Sequence, residues 1–407
     1  MALRIDPGRL EARLDALAEV GRDARGGWTR LAYTPEERAA TELVAGWMSA
    51  AGLAVRSDAV GNTFGRWPRG SGAAVWTGSH VDTVPNGGRF DGPAGVLASL
   101  AAVEALQEAG VEPATPIEVC VFVGEEGSRF HGLLGSRAVV EGLDDDELRA
   151  ADAEGTTLAA AMDARGLDPQ RAAEARVRPQ DVAAYLELHI EQGPVLEMAE
   201  RPAGIVTAIA GPLQFQAEIT GRADHAGTTP MGARADSLLA AAEVALELER
   251  IASAGSSTVA TVGRLVCAPG APNVIAGRTE LSVDLRDVDA GARDDAERLF
   301  RAAFDRIVSA RGLRGQLHEV LRVAPQPTSG RLVSLLEESA AAAGVPVMRL
   351  PSGAAHDAMV LGRVTDSGMV FVRSVGGRSH APEEETTTED LAAGTAVLAE
   401  CLRALCE

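Results

Sequence analysis

The sequence predicts an α/β fold on a mostly parallel sheet, interrupted by a smaller ferredoxin-like α+β unit. Three observations carry this. Short apolar runs, "AAVWTGS", "IEVCVFVGEE" and "AAYLELHIEQG", each end in glycine or in polar and acidic residues, as buried strands do. Between the first two, residues 93–110 are rich in Ala, Leu and Val and close on Gly110, so strand, helix and strand follow at the spacing of a parallel crossover. Residues 213–323 instead read strand, helix, strand, strand, helix, strand, which is the ferredoxin-like order.

Residues 9–20 and 35–51 carry helical periodicity, and Thr34-Pro35 is a helix start. Residues 141–184, rich in Ala, Asp and Arg, read as two or more surface helices. The interrupting unit opens with the alternating "LQFQAEITG" (213–221). A helix at 236–253, strands at 258–267 and 274–287, a helix at 290–311 and a strand at 316–323 follow. Its flanks, "AIAGP" and "APQPTSG", hold the Gly and Pro of hinges. "GMVFVRSVGGRSHAP" returns to the larger layer. The division is therefore 1–210 and 326–407 for the main domain, with 211–325 inserted.

At 407 residues the chain is long enough for two cores. The formal charge of -20 disfavours a nucleic-acid partner, which needs a basic surface. No run approaches the ~18 apolar residues of a membrane span, and the N-terminus lacks the apolar core of a signal peptide. Four scattered cysteines with no CxxC pair suit a reducing compartment, so the expectation is a cytoplasmic protein. There is no lysine, and all 38 basic residues are arginine.

The chemistry gathers at strand ends. The first strand delivers His80 and Asp82, with Asp91 in the Gly-rich loop beyond. The second runs into Glu125 and Glu126, the third into His189 and Glu191, and the last out to His380. Ligands bind beyond the carboxyl ends of strands in parallel α/β sheets. A lone histidine at a strand end is ordinarily a satisfied polar group, and His131 and His318 are read that way. Three of the seven histidines beside acids at strand ends are instead a metal-type set. Nitrogen and carboxylate ligands without thiolate suit zinc, manganese or cobalt. His80 and Asp82, two apart, are expected to share a strand face, with Asp82 accepting the His80 ring N–H. Adjacent glutamates point apart, which leaves Glu126 to ligate and Glu125 to act as general base.

These residues sit in "GSHVDTVPNGGRFDG", "FVGEEGSRF", "HIEQGPVLE", "GRADHAGTTPMGAR", "PNVIAGRTELSVDLR", "SGAAHDAM" and "GRSHAPEE". In that order they resemble the hydantoinase/carbamoylase-type amidases: N-carbamoyl-L-amino-acid hydrolases, allantoate amidohydrolases and bacterial β-ureidopropionases. That group lies within the aminoacylase/carboxypeptidase superfamily of binuclear metallohydrolases. The resemblance implies two divalent metal ions, zinc first, with manganese, cobalt or nickel as alternatives. It implies His80, Asp91 and His189 on one side of the pair, Asp91 bridging, and Glu126 and His380 on the other. It implies substrate contacts from His225, Asn273 and Arg286, with Gln192 and His356 lining the pocket. The inserted domain becomes a lid and the surface of a homodimer.

The activity implied is cleavage of the carbamoyl C–N bond of N-carbamoyl-L-amino acids, with Glu125 and His225 as the catalytic pair. Allantoate hydrolysis or β-ureidopropionase activity is the neighbouring alternative, and an aminoacylase or peptidase the more distant one. By residue chemistry alone, Arg286 is first a surface arginine paired with Asp284 or Asp287; with the motif it suits a small-molecule carboxylate through a two-pronged contact, and His225 suits a donor to an oxyanion. The chain departs from the family pattern at Ala355, where glycine is usual, and at Arg373 and Arg378, where the extra positive charge either favours an acidic substrate or reflects only the arginine-rich coding.

Overall fold

The computed structural model describes residues 3–407. They divide into two compact units. One comprises residues up to Thr207 with Thr328–Leu350 and His356–Glu407; the other comprises Ala208–Pro327 with Pro351–Ala355. The last of these segments lies outside the 211–325 stretch read from sequence.

The larger unit is built on a mixed sheet whose centre is parallel. Strand Ala74–His80 lies between Ile117–Phe122 and Val182–Ile190, parallel to both, and Ser367–Val372 extends the parallel run. Antiparallel strands flank this centre: Thr63–Arg66 and Ala54–Ser57 on one side, Ala203–Ile209 on the other. The central strands are buried on both faces, which is why they read as continuous apolar runs rather than alternating ones.

Helix Pro93–Glu108 is buried from Pro93 to Leu106. A helix apolar all round belongs inside a protein. Its one inward charge, Glu104, is paired by Arg13 at 2.8 Å and Arg9 at 3.1 Å. Gly95 lets it approach the sheet: a Cβ there would lie 2.2 Å from the Leu188 carbonyl oxygen. The helices start where capping chemistry permits. Thr34 accepts the Glu37 N–H before Pro35–Ala50, and Thr387 accepts the Asp390 N–H before Thr388–Cys406.

The smaller unit is a four-stranded antiparallel sheet with two helices, Ser237–Ala254 and Ala290–Ala310. In chain order the strands are Gly211–Thr220, Val259–Ala268, Arg278–Asp287 and Arg314–Arg322. The first and third are central, the fourth pairs with the first and the second with the third, giving the ferredoxin-like arrangement. Inward residues Leu213, Phe215, Ala217 and Ile219 alternate with partly exposed ones and meet Phe300, Phe304 and Val244 from the helices. Residues 274–277, expected in the third strand, form the loop before it, and His225 makes an isolated bridge to Val274. Among the described residues no helix is long and apolar enough to cross a membrane.

Candidate metal centre and active site

The chain places two overlapping three-residue groups in the larger unit: His80, Asp91 and His189, then Asp91, Glu126 and His380. Within each group the ligand-type atoms lie within 4.8 Å of one another. Asp91 belongs to both. Its Oδ1 is 3.1 Å from His189 Nε2 and 3.7 Å from His80 Nε2, and its Oδ2 is 3.3 Å from His380 Nε2. His380 Nε2 is also 3.2 Å from Glu126 Oε2.

Local structure explains these positions. His80 is the last residue of its strand and His189 the penultimate residue of the neighbouring one. Each ring uses Nδ1 on a backbone carbonyl, His80 on Asp82 at 3.1 Å and His189 on Ile190 at 2.9 Å. With Nδ1 committed to the backbone, Nε2 is the atom that each ring turns toward Asp91 and the one left to ligate. Gly92, with φ of 82°, packs under His80; a Cβ would stand 2.5 Å from the ring. His380 lies eight residues beyond the end of Ser367–Val372, on a loop, and Glu126 four residues beyond the end of Ile117–Phe122. Neither is itself at a strand end, as the sequence pattern implied. His380 (φ 55°) and Gln192 (φ 59°) both sit in the left-handed region, a cost of about 1–3 kcal/mol each that the surrounding contacts maintain. Gln192 donates to Asp91 Oδ2 at 2.7 Å, and its own N–H is held by Ser374 Oγ.

The Asp82 carboxylate stands 3.5 Å from His80 Nδ1, the contact expected of it, but not from a shared strand face. Its strand ends at His80, so the two residues do not share a strand face, and the His80 ring bonds the Asp82 main-chain carbonyl. The Asp82 carboxylate, 3.5 Å from the ring, accepts the backbone N–H groups of Glu125 and Glu126, each at 3.2 Å. It thereby fixes the turn that separates the two glutamates. Glu126 joins the His380 group, whereas Glu125 Oε2 stands 3.6 Å from His80 Nε2.

Burial and charge set the protonation behaviour. Burial pushes the Glu125 carboxyl well above its usual range; Asp357, Glu126 and Asp82 add to this and His80 opposes it. Burial also works against charge on Asp91, but His189, His380 and His80 outweigh it and hold the carboxyl well below the usual range. Hydrogen bonds to Asp91 and Glu126 raise His380 to about 11. His356 packs on His189 with ring centroids 4.5 Å apart, and burial, reinforced by the neighbouring histidines, drives it well below its usual value.

The donor set fits divalent metal ions. His80 Nε2, His189 Nε2 and Glu126 Oε1 are buried polar atoms with no well-formed hydrogen bond. Buried polar atoms are otherwise almost always satisfied. Three nitrogens and two carboxylates without thiolate are borderline-to-hard ligands.

His225, Asn273 and Arg286 belong to the smaller unit. His225 and Asn273 are exposed, and the Asn273 carbonyl accepts the Ala226 N–H at 2.9 Å. Arg286 is paired through Nε and Nη2 with Asp284 at 2.7 and 3.1 Å, and its Nη1 reaches the Gly353 carbonyl at 2.8 Å. Arg286, Asp284 and Gly353, with Val259 and Thr261, line a cavity of about 430 Å³. Arg373 is bound to Asp390 at 2.8 and 2.9 Å beside the start of the last helix, so its charge is compensated within the fold. Arg378 remains exposed, 3.8 Å from Glu383. Ala355 is partly buried before His356.

Two supporting side chains escaped the sequence reading. Glu384, buried, accepts the N–H groups of Phe90 and Asp91 through Oε1, both at 2.9 Å. Ser379 Oγ lies between Glu384 Oε2 at 2.7 Å and Asp91 Oδ2 at 2.8 Å. Both occur in "GRSHAPEE" around His380, and a buried acid in a ligand-bearing loop was the available signal.

The model of Peptidase family M20/M25/M40 matches residues 76–404. An N-carbamoyl-L-amino acid amidohydrolase of Geobacillus stearothermophilus is 46% identical over 393 residues, covering 96% of each chain. An allantoate amidohydrolase of Bacillus subtilis is 36% identical over 394 residues, covering 96% of this chain and 95% of its own. The crystal structure of a hydantoinase/carbamoylase-family amidase from Burkholderia multivorans superposes with a TM-score of 0.93 at 35% identity, covering 99% of this chain and 98% of its own. The chain belongs to the M20/M25/M40 peptidase family and, within it, to the hydantoinase/carbamoylase amidases.

Proposed function

We propose that the protein is a hydrolase of the carbamoyl C–N bond of N-carbamoyl-L-amino acids, dependent on two divalent metal ions. The observation that carries this is the sharing of Asp91 between two His/carboxylate groups, in which His80 Nε2, His189 Nε2 and Glu126 Oε1 are buried without a well-formed hydrogen bond. His80 and His189 with Asp91 would hold one ion, and Glu126 and His380 with Asp91 the other. When bound, such ions polarise a carbonyl oxygen and make water acidic at neutral pH.

The protein's own groups move the protons. Glu125 takes a proton from the attacking water on its carboxylate and returns it to the leaving nitrogen. Burial favours the protonated form of Glu125, which suits a base that must become an acid. Gln192, hydrogen-bonded to Asp91, holds the shared carboxylate in place. His225 donates to the oxygen that becomes negative, Arg286 meets the substrate carboxylate, and Asn273 and His356 complete the pocket. One carbamoyl amino acid and one water give the amino acid, ammonia and carbon dioxide.

The identity of 46% to a carbamoyl-amino-acid hydrolase, against 36% to an allantoate hydrolase, supports the first substrate class. Exposed Leu239, Leu246, Val259, Leu265 and Val266 on the smaller unit support a homodimer through that unit. The test is ammonia release by protein loaded separately with zinc, manganese, cobalt or nickel. N-carbamoyl-L-amino acids and their D forms, N-carbamoyl-β-alanine, allantoate and an N-acetyl amino acid are the substrates. Turnover greatest on the N-carbamoyl-L-amino acids supports the proposal; greatest turnover on allantoate or on the acetyl amino acid replaces it.

A further inference from the structure

The loop carrying His225 contains a set of hydrogen bonds that no role described so far uses. The backbone N–H groups of Gly227 and Thr228 both point at His225 Nδ1, at 3.0 and 3.2 Å. An imidazole nitrogen that accepts N–H bonds carries no proton of its own, so the ring proton must lie on Nε2. This is the opposite tautomer from His80 and His189, whose Nδ1 atoms face carbonyls. The two amides can face the ring because the loop is held from behind. Arg234 donates through Nη2 to the Ala226 carbonyl at 2.6 Å and through Nε to the Thr229 carbonyl at 3.2 Å. The Ala226 carbonyl belongs to the same peptide group as the Gly227 N–H. Because a peptide group is planar and trans, holding that oxygen on one side aims the N–H to the other. The Thr229 N–H closes the loop on the His225 carbonyl at 3.2 Å. Gly227 leaves room for the ring, since a Cβ there would approach Cε1 to 3.2 Å.

We propose that Arg234 is a positioning residue: by gripping the Ala226 and Thr229 carbonyls it aims the Gly227 and Thr228 amides at Nδ1 and commits His225 to the Nε2–H tautomer. Nε2 then presents a fixed N–H donor rather than a lone pair. The catalytic value of this rests on the reading of His225 as donor to the substrate's developing oxyanion. Removing an entire donor of that kind costs about 10²–10³-fold in kcat. Leaving the ring free to adopt either tautomer costs less, on the order of 10-fold, with KM little changed.

The experiment is ¹⁵N NMR on the full-length protein labelled at histidine, with His225→Gln used to assign the His225 signals. The wild-type ring should show Nδ1 unprotonated and Nε2 protonated. Arg234→Met should give a mixture of tautomers and the roughly 10-fold fall in kcat, and Arg234→Lys, which keeps a donor, should recover part of both. Should Arg234→Met fail to fold, the wild-type and Arg234→Lys spectra still decide the point. A proton on Nδ1 in wild type overturns the proposal, as does an unaltered His225 pattern in folded Arg234→Met. If the tautomer shifts in Arg234→Met while kcat holds in both that variant and His225→Gln, the grip of Arg234 stands and the donor role of His225 falls.

Discussion

Glu384 Oε1 accepts the backbone N–H of Asp91 at 2.9 Å, joining chain segments 293 residues apart at the carboxylate common to both ligand groups. Through Ser379, the same side chain also reaches the Asp91 carboxylate from the His380 loop. Outer partners of this kind typically affect metal affinity by about 10- to 100-fold. Glu384→Ala should therefore weaken metal binding by that order, read by competition with a chelator. Ser379→Ala should cost less, because Gln192 still holds Asp91 Oδ2. Unchanged affinity in Glu384→Ala would remove this network from the account.

Metal binding should release protons. Without an ion, Asp91 and Glu126 raise His380 to about 11, above its ordinary 6.5, so the ring is charged at neutral pH. A ligating imidazole must be neutral, so loading displaces that proton and affinity rises with pH. The same shift has a sign for the metal-free fold: the stabilisation is full below about 6.5 and fades as pH climbs through about 11. Titration calorimetry at pH 7 in buffers of different ionisation enthalpy should show at least one proton released per chain. Release of none would show that His380 is neutral beforehand.

Arg286 is the test of the carboxylate reading. Its Nε/Nη2 edge is occupied by Asp284, so an incoming carboxylate must share the guanidinium with that residue or displace it. Arg286→Ala should raise KM more than it lowers kcat, with kcat/KM falling about 10- to 150-fold for a charge-assisted contact of roughly 1.5–3 kcal/mol. Arg286→Lys should recover only part, since an ammonium lacks the planar fork. Unchanged constants in Arg286→Ala would leave the arginine as the structural partner of Asp284 alone.

Much of this was legible in the sequence because it is local. His80 and His189 end apolar runs that had to be central strands, and the glycines after His80 marked a loop able to bring Asp91 back. The ferredoxin-like order of the smaller unit was readable from alternation such as that of "LQFQAEITG". What escaped depends on long-range pairing. Nothing near Arg373 in the sequence shows that it pairs with Asp390. Spacing placed Asp82 near His80, but only the folded turn turns its carboxylate to the amides of Glu125 and Glu126. The flanking strands Ala54–Ser57 and Thr63–Arg66 are four residues each, too short for a periodic signal.

The central proposal is that Glu125 moves the protons while Glu126 holds metal. The most direct measurement is kcat of Glu125→Gln with the ions counted in the same sample. Two ions per chain, as in wild type, with kcat reduced by about 10²–10⁴-fold, is the predicted result, because the amide keeps the shape and cannot take a proton. Loss of an ion from Glu125→Gln, or wild-type turnover with both ions present, would contradict it.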